Sequence, residues 1–162
     1  MVFGSVNAEL LRVTRRPLLF VTSKDDWPPR RVLVGDDGSA AALGAAMMGA
    51  EIGRLYRAEV ELMQASGATL GVEHASAGPV VPGEASLRAD ARRLEDSTGT
   101  PVSVSVVDAS PYAALQGGST DGRTLVAVGT RQHGGLVHWM EGSLSRELVH
   151  SAASLLVVPP TR

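Results

Sequence analysis

Cysteine is absent from the 162-residue sequence, which removes disulfides, thiol nucleophiles and cysteine-ligated metal together. Lysine occurs once, at Lys24 in Ser23-Lys24-Asp25, so no Gly-x-x-x-x-Gly-Lys-Ser/Thr phosphate loop can be written. Gly-x-Gly-x-x-Gly follows no predicted strand, and no Gly-x-Ser-x-Gly elbow presents a nucleophilic serine. The four histidines, His74, His133, His138 and His150, form no His-x-x-x-His pair, so no metal site is expected. Long apolar runs are missing as well. The longest, 40–50, falls far short of the roughly 20 residues a membrane span needs. Near the N-terminus only Leu18 to Val21 is continuously apolar, too short for a signal-peptide core. A net charge of −2 leaves no basic footprint for nucleic acid. The expectation is a cytoplasmic protein with neither a membrane nor a nucleic acid as partner.

What is present is ordered around residues 125–152. The apolar run Leu125-Val126-Ala127-Val128 leads into Gly129-Thr130-Arg131-Gln132-His133-Gly134-Gly135, and Gly142-Ser143 follows Gly129 at thirteen residues. Leu144, Leu148, Val149 and Ala152 then keep a helical period. A strand that empties through a glycine-bearing loop into a helix start is an arrangement in which backbone N–H groups and the helix dipole can hold an anion.

The rest of the chain alternates strand and helix. Arg30 to Gly35 reads as a strand buried on both faces, and Asp36-Asp37-Gly38-Ser39 as a turn whose Asp or Ser oxygen can cap a helix. Ala40 to Arg57 reads as a largely buried helix, where Gly44, Gly49 and Gly53 each cost stability unless they allow close packing. Val60 to Met63 is a strand, Ser66 to Gly83 a loop, and Glu84 to Thr98 an amphipathic helix burying Leu87, Ala91 and Leu94. Pro101 to Val107 is a strand with one polar face. A short helix from Ser110-Pro111 is ended by Gly117-Gly118. Leu125 to Val128, a helix over Ser143 to Ser151, and Leu155 to Val158 complete the series. Such alternation implies right-handed crossovers and an α/β fold with a parallel sheet and helices on both faces. Its ligands belong beyond the strand carboxyl ends, where the strand order reverses.

The first residues repeat the last ones. Gly4-Ser5-Val6-Asn7-Ala8-Glu9-Leu10 lines up with Gly142-Ser143-Leu144-Ser145-Arg146-Glu147-Leu148. After one residue of slippage, Pro17-Leu18-Leu19-Phe20-Val21 answers Ser154-Leu155-Leu156-Val157-Val158. Residues 1–29 are therefore expected to be a helix–strand remnant, like the end of a second domain, with a linker closed by Pro28-Pro29. Residues 30–162 form the domain proper.

Val32-Leu33-Val34-Gly35-Asp36-Asp37-Gly38-Ser39, the Gly129 to Ser143 loop, and Ala153-Ser154-Leu155-Leu156-Val157-Val158-Pro159 together resemble the universal stress protein family over residues 30–160. The family's loop pattern is Gly-x2-Gly-x9-Gly-Ser/Thr, and Gln132 stands at its second glycine. The resemblance implies a Rossmann-like five-stranded parallel sheet of order 3-2-1-4-5, dimeric through the fifth strand, that holds ATP, with Mg²⁺ as a companion, without a defined reaction. Carried over by position, Asp37 contacts the adenosine part and the backbone at Ala65 meets the adenine. Val128 and Gly129 line the ribose and phosphate side. Gly142, Ser143 and Leu144 offer N–H groups and a hydroxyl to the phosphates. It implies a homodimer through Leu155 to Val158, or a pseudo-dimer within the chain if Leu18 to Val21 takes that edge.

Blander roles stay open beside these. Asp37 and Ser143 can be helix caps, and a nucleotide-free scaffold acting through its dimer edge is favoured by Gln132. An adenine-handling α/β enzyme would show Ser-Gly-Gly-x-Asp-Ser or His-x-Gly-His at the first strand. Asp36-Asp37-Gly38-Ser39 is neither, so no enzyme is expected.

Overall fold

A computed structural model describes residues 10, 14–21, 27–66, 83–129 and 154–159. The elements are β1 (Leu18–Phe20), β2 (Arg31–Gly35), α1 (Ala40–Tyr56), β3 (Glu59–Ala65), α2 (Glu84–Thr98), β4 (Val102–Val107), α3 (Pro111–Gly118), β5 (Thr124–Gly129) and β6 (Ser154–Val158). The sheet order is β1-β6-β5-β2-β3-β4. Its five strands from β2 to β6 are parallel to their neighbours and stand in the expected order. The expected five-stranded sheet is corrected to six: β1 is added antiparallel along β6, with Leu19 opposite Leu156. The predicted helix at 143–151 and most of the loop at 66–83 lie outside the described residues. So does the N-terminal helix, apart from a helical bond from the Thr14 N–H to the Leu10 carbonyl at 2.9 Å.

Side-chain alternation splits the core into two layers. Val32, Val34, Leu62, Leu125, Ala127 and Leu156 face α1 and α2, while Leu33, Met63, Val126, Val128, Leu155 and Val157 face α3. Because both faces are covered, β2, β5 and β6 read as continuous apolar runs. Leu87, Ala91 and Leu94 are the buried stripe of α2, as their spacing predicts.

The glycines of α1 follow from this packing. A Cβ at Gly49 would stand 3.1 Å from Val32 and 3.2 Å from Val34, and one at Gly53 only 2.3 Å from Val60. They let the helix axis approach the sheet more closely than alanine would. The helix ends at Arg57, whose φ of 56° is left-handed; the Ala58 N–H then closes onto the Gly53 carbonyl at 2.9 Å. For α3 the expected glycine stop falls within the last turn: the helix ends at Gly118 and is capped by Ser119. A Cβ at Gly118 would be 2.6 Å from Leu33. This glycine is a packing contact inside the last turn.

The serine face of β4 is also accounted for. Ser103 donates to the Val60 carbonyl at 3.2 Å, and Ser105 donates to Glu61. Glu61 pairs with Arg31, which also donates to the Gly118 carbonyl at 3.1 Å. Burial alone would raise the Glu61 pKa. The hydrogen bonds from Ser105 and Arg31 and the charge of Arg31 outweigh it and hold the carboxyl below its ordinary 4.5.

Candidate functional site

The chain turns back across the sheet at β2, whose neighbours are β3 on one side and β5 on the other. The carboxyl ends of these three strands are in register: Gly35 pairs with Met63 and with Val128, and β3 runs on to Ala65. Strand neighbours are about 4.8 Å apart. The expected residues Ala65, Val128 and Gly129 therefore share one edge of the sheet, and Asp37 follows β2 at the same edge. Gly142, Ser143, Leu144 and Gln132 lie outside the described residues.

The turn after β2 is built from its own side chains. The Asp36 N–H extends the ladder to the Met63 carbonyl at 2.8 Å. Gly38, at φ 73°, donates its N–H to Asp36 Oδ1 at 2.8 Å, and Ser39 donates its N–H to Asp37 Oδ1 at 2.9 Å. Ser39 is the helix cap, its Oγ accepting the Ala42 N–H at 3.1 Å. The open choice between an Asp and a Ser cap is settled for the serine. Asp37 holds the turn one step earlier, and its side chain is exposed.

Gly129 has a structural cause of its own. A Cβ there would stand 2.2 Å from the Ala41 carbonyl carbon and 2.5 Å from the Ala42 nitrogen. Only glycine lets the end of β5 meet the first turn of α1 this closely. Val128 turns its side chain into the α3-side core, so toward the sheet edge it presents only backbone. Ala65, half-buried, packs at the margin of the same core.

Beside β2 and β3, between the starts of α1 and α2, lies a cavity of about 300 Å³. Asp36, Ser39 and Leu43 line one side and Ser86, Asp90 and Arg93 the other, over Leu62. Burial raises the Asp36 pKa above its ordinary 3.8; the charges of Asp90 and Asp37 add to this, while the Gly38 N–H opposes it. Arg93 lies 3.5 Å from Asp90 and leaves this wall acidic on balance. Sequence reasoning singled out Asp37 and passed over Asp36 and Asp90. Only the position of Asp36 directly behind a buried strand could have flagged it, and α2 brings Asp90 in from across the chain. Carboxylates here disfavour phosphate groups and suit hydroxyl or amino donors. Main-chain amides at the β5 side carry no such penalty.

No family profile and no curated protein sequence matches the chain. Solved structures do. A universal stress protein crystallised in complex with cAMP superposes with a TM-score of 0.62 at 21% identity, over 82% of this chain and 98% of that one. A universal stress protein from Archaeoglobus fulgidus also gives 0.62, at 20% identity, over 98% of this chain; this chain spans 55% of its length. By these superpositions the chain has the fold of the universal stress proteins.

Proposed function

We propose that this protein is a universal stress protein that binds an adenine nucleotide at the carboxyl edge of its sheet and acts as a regulator or sensor, not as a catalyst. The observation that carries this reading is the meeting of Asp36, Asp37, Ala65 and Gly129 at the reversal of strand order, next to a cavity of about 300 Å³. The cAMP held by one structural neighbour supports the ligand class.

The acidic cavity suits the base and ribose. Asp36 and Asp37 would accept from hydroxyl or amino groups, with the backbone at Ala65 beside the adenine. The phosphates of ATP would turn away from these carboxylates, toward the backbone at Val128 and Gly129. Gly142, Ser143 and Leu144 would meet them there as the start of the final helix. Among the described residues no group of three His, Asp or Glu could hold a metal ion, so Mg²⁺ would arrive on the phosphates.

Titration calorimetry with ATP and Mg²⁺, and with cAMP, tests this. The wild type is expected to bind, and Ser143→Ala to weaken ATP by about tenfold while weakening cAMP less, as one charge-assisted hydrogen bond is lost. Gln132→Gly is expected to tighten ATP by letting the loop backbone approach. Binding of no adenine nucleotide by either the wild type or Gln132→Gly would overturn the reading.

One observation favours a second reading, a scaffold without nucleotide. Gly129 is explained in full by its contact with Ala41, so that glycine is required whether or not a ligand is held.

A further inference from the structure

We infer that Arg15 and Arg16 are phosphate-binding residues: β1 carries them to the carboxyl edge of the sheet, where they hold the outer phosphates of the nucleotide. The inference rests on the nucleotide reading above and supplies the cations that this edge otherwise lacks.

In sequence, the first strand copies the last one with a change of charge just before it. Pro17-Leu18-Leu19-Phe20 answers Ser154-Leu155-Leu156-Val157, and Arg15-Arg16 then stand where the later copy has Ala152-Ala153. The direction of pairing decides where that change is felt. Ser154, at the start of β6, pairs with Leu125 at the amino edge of the parallel sheet. β1 runs the other way along β6, with Leu18 opposite Val157. Continued by two residues, this register sets Pro17 beside Val158 and Arg16 beside Pro159. Antiparallel pairing thus delivers the two arginines to the edge at which β2, β3 and β5 end.

The spacing suits a phosphate chain. Gly129 pairs with Val158, so Gly129, Val158 and Pro17 follow one another across the edge, and two strand spacings come to about 10 Å. A triphosphate extending from Gly129 and an arginine side chain extending from residue 16 span that gap between them. Both arginines are exposed, and neither has an ion pair among the described residues.

Electrostatics assigns them the role. The carboxylates of Asp36, Asp37 and Asp90 gather on the base and ribose side, and Arg93 there stands against Asp90. The single lysine, Lys24, falls in sequence between β1 and β2. The outer phosphates of ATP lie farthest from the acidic cavity and carry most of the ligand charge. An arginine fork matches phosphate oxygens in pairs.

Titration calorimetry of the full chain with ATP and with AMP separates this contribution from the rest of the site. Arg15→Gln with Arg16→Gln is expected to weaken ATP by at least about tenfold and AMP far less, as charge-assisted hydrogen bonds to the outer phosphates are lost. Arg15→Lys with Arg16→Lys should restore part of the ATP affinity. Added salt should narrow the gap between the wild type and the glutamine variant. Arg54→Gln with Arg92→Gln removes the same charge from exposed positions on α1 and α2, and should leave ATP binding near that of the wild type. Unchanged ATP binding in the Arg15, Arg16 glutamine variant would overturn the inference and leave the nucleotide reading standing. So would an equal loss of ATP and AMP, or an equal loss of ATP in the Arg54, Arg92 variant. A wild type that binds neither nucleotide ends both.

Discussion

Asp36 and Glu61 are both carboxylates drawn away from bulk water, and their surroundings push them in opposite directions. Asp36, raised by burial, holds a proton more readily folded than unfolded. Its contribution to stability is complete below the ordinary 3.8 and is lost as pH rises through the raised value. Asp36→Asn, which still accepts the Gly38 N–H, should therefore melt higher than the wild type at pH 7. That gap should close as pH falls below 3.8. Glu61 is the reverse case. It stabilises the fold above 4.5, and this is lost as pH falls through its lowered value. Glu61→Gln should cost about 2 kcal/mol at pH 7, since it leaves the half-buried Arg31 without its counter-charge. The penalty should shrink toward pH 3, as thermal melts of both proteins across pH will show. Burial made Asp36 the carboxylate at odds with its surroundings, and burial is what a run reading Asp36-Asp37-Gly38-Ser39 does not display. Asp37 stood out only by its place in a motif.

Within α1, two glycines that look alike in sequence should behave in opposite ways. Gly44 has room for a methyl, with Val158 at 3.5 Å, whereas Gly53 has Val60 at 2.3 Å. Gly44→Ala should gain close to 1 kcal/mol from helix propensity. Gly53→Ala should lose about 1–3 kcal/mol, as overpacking outweighs the same gain; urea titrations of the two variants test the contrast. Elements of this kind were legible wherever one physical cause dominated. The apolar runs of β2, β5 and β6 gave buried strands, and the Leu87, Ala91 and Leu94 spacing gave the face of α2. Glycine was the ambiguous letter. At Gly117-Gly118 it looks like a helix stop, yet there it is the last turn pressed onto Leu33. Local sequence cannot tell a break from a close approach, because the difference lies in the partner across the core. The same ambiguity touches the candidate site, where Gly129 serves Ala41 whatever else it serves. Ala65, Val128 and Gly129, taken from the family resemblance, stand at the carboxyl ends of β3 and β5, which neighbouring parallel strands bring to the same side of the sheet.

At the scale of the molecule, the repeated tail decides what the sheet presents to its surroundings. The parallel sheet followed from the alternation of elements, and the strand order from family resemblance alone. The likeness of Leu18–Phe20 to Leu155–Val157 left a sixth strand as one of two alternatives, and the pairing of β1 with β6 decides for it. None of the described helices is long and apolar enough to cross a membrane. Before β2, Trp27 meets Tyr56, the last residue of α1, edge-on at 5.1 Å. The direction of β1 has a mechanical consequence. Leu18 lies opposite Val157, so the chain enters β1 and leaves β6 at the same end. Tension applied at Arg16 and Pro159 would open the ladder one bond at a time, like a zipper. Tension at Val21 and Pro159 would load all its bonds in shear. Optical-tweezer extension should find the first rupture at clearly lower force, marking this seam as one that a modest pull can part while the five-stranded body holds.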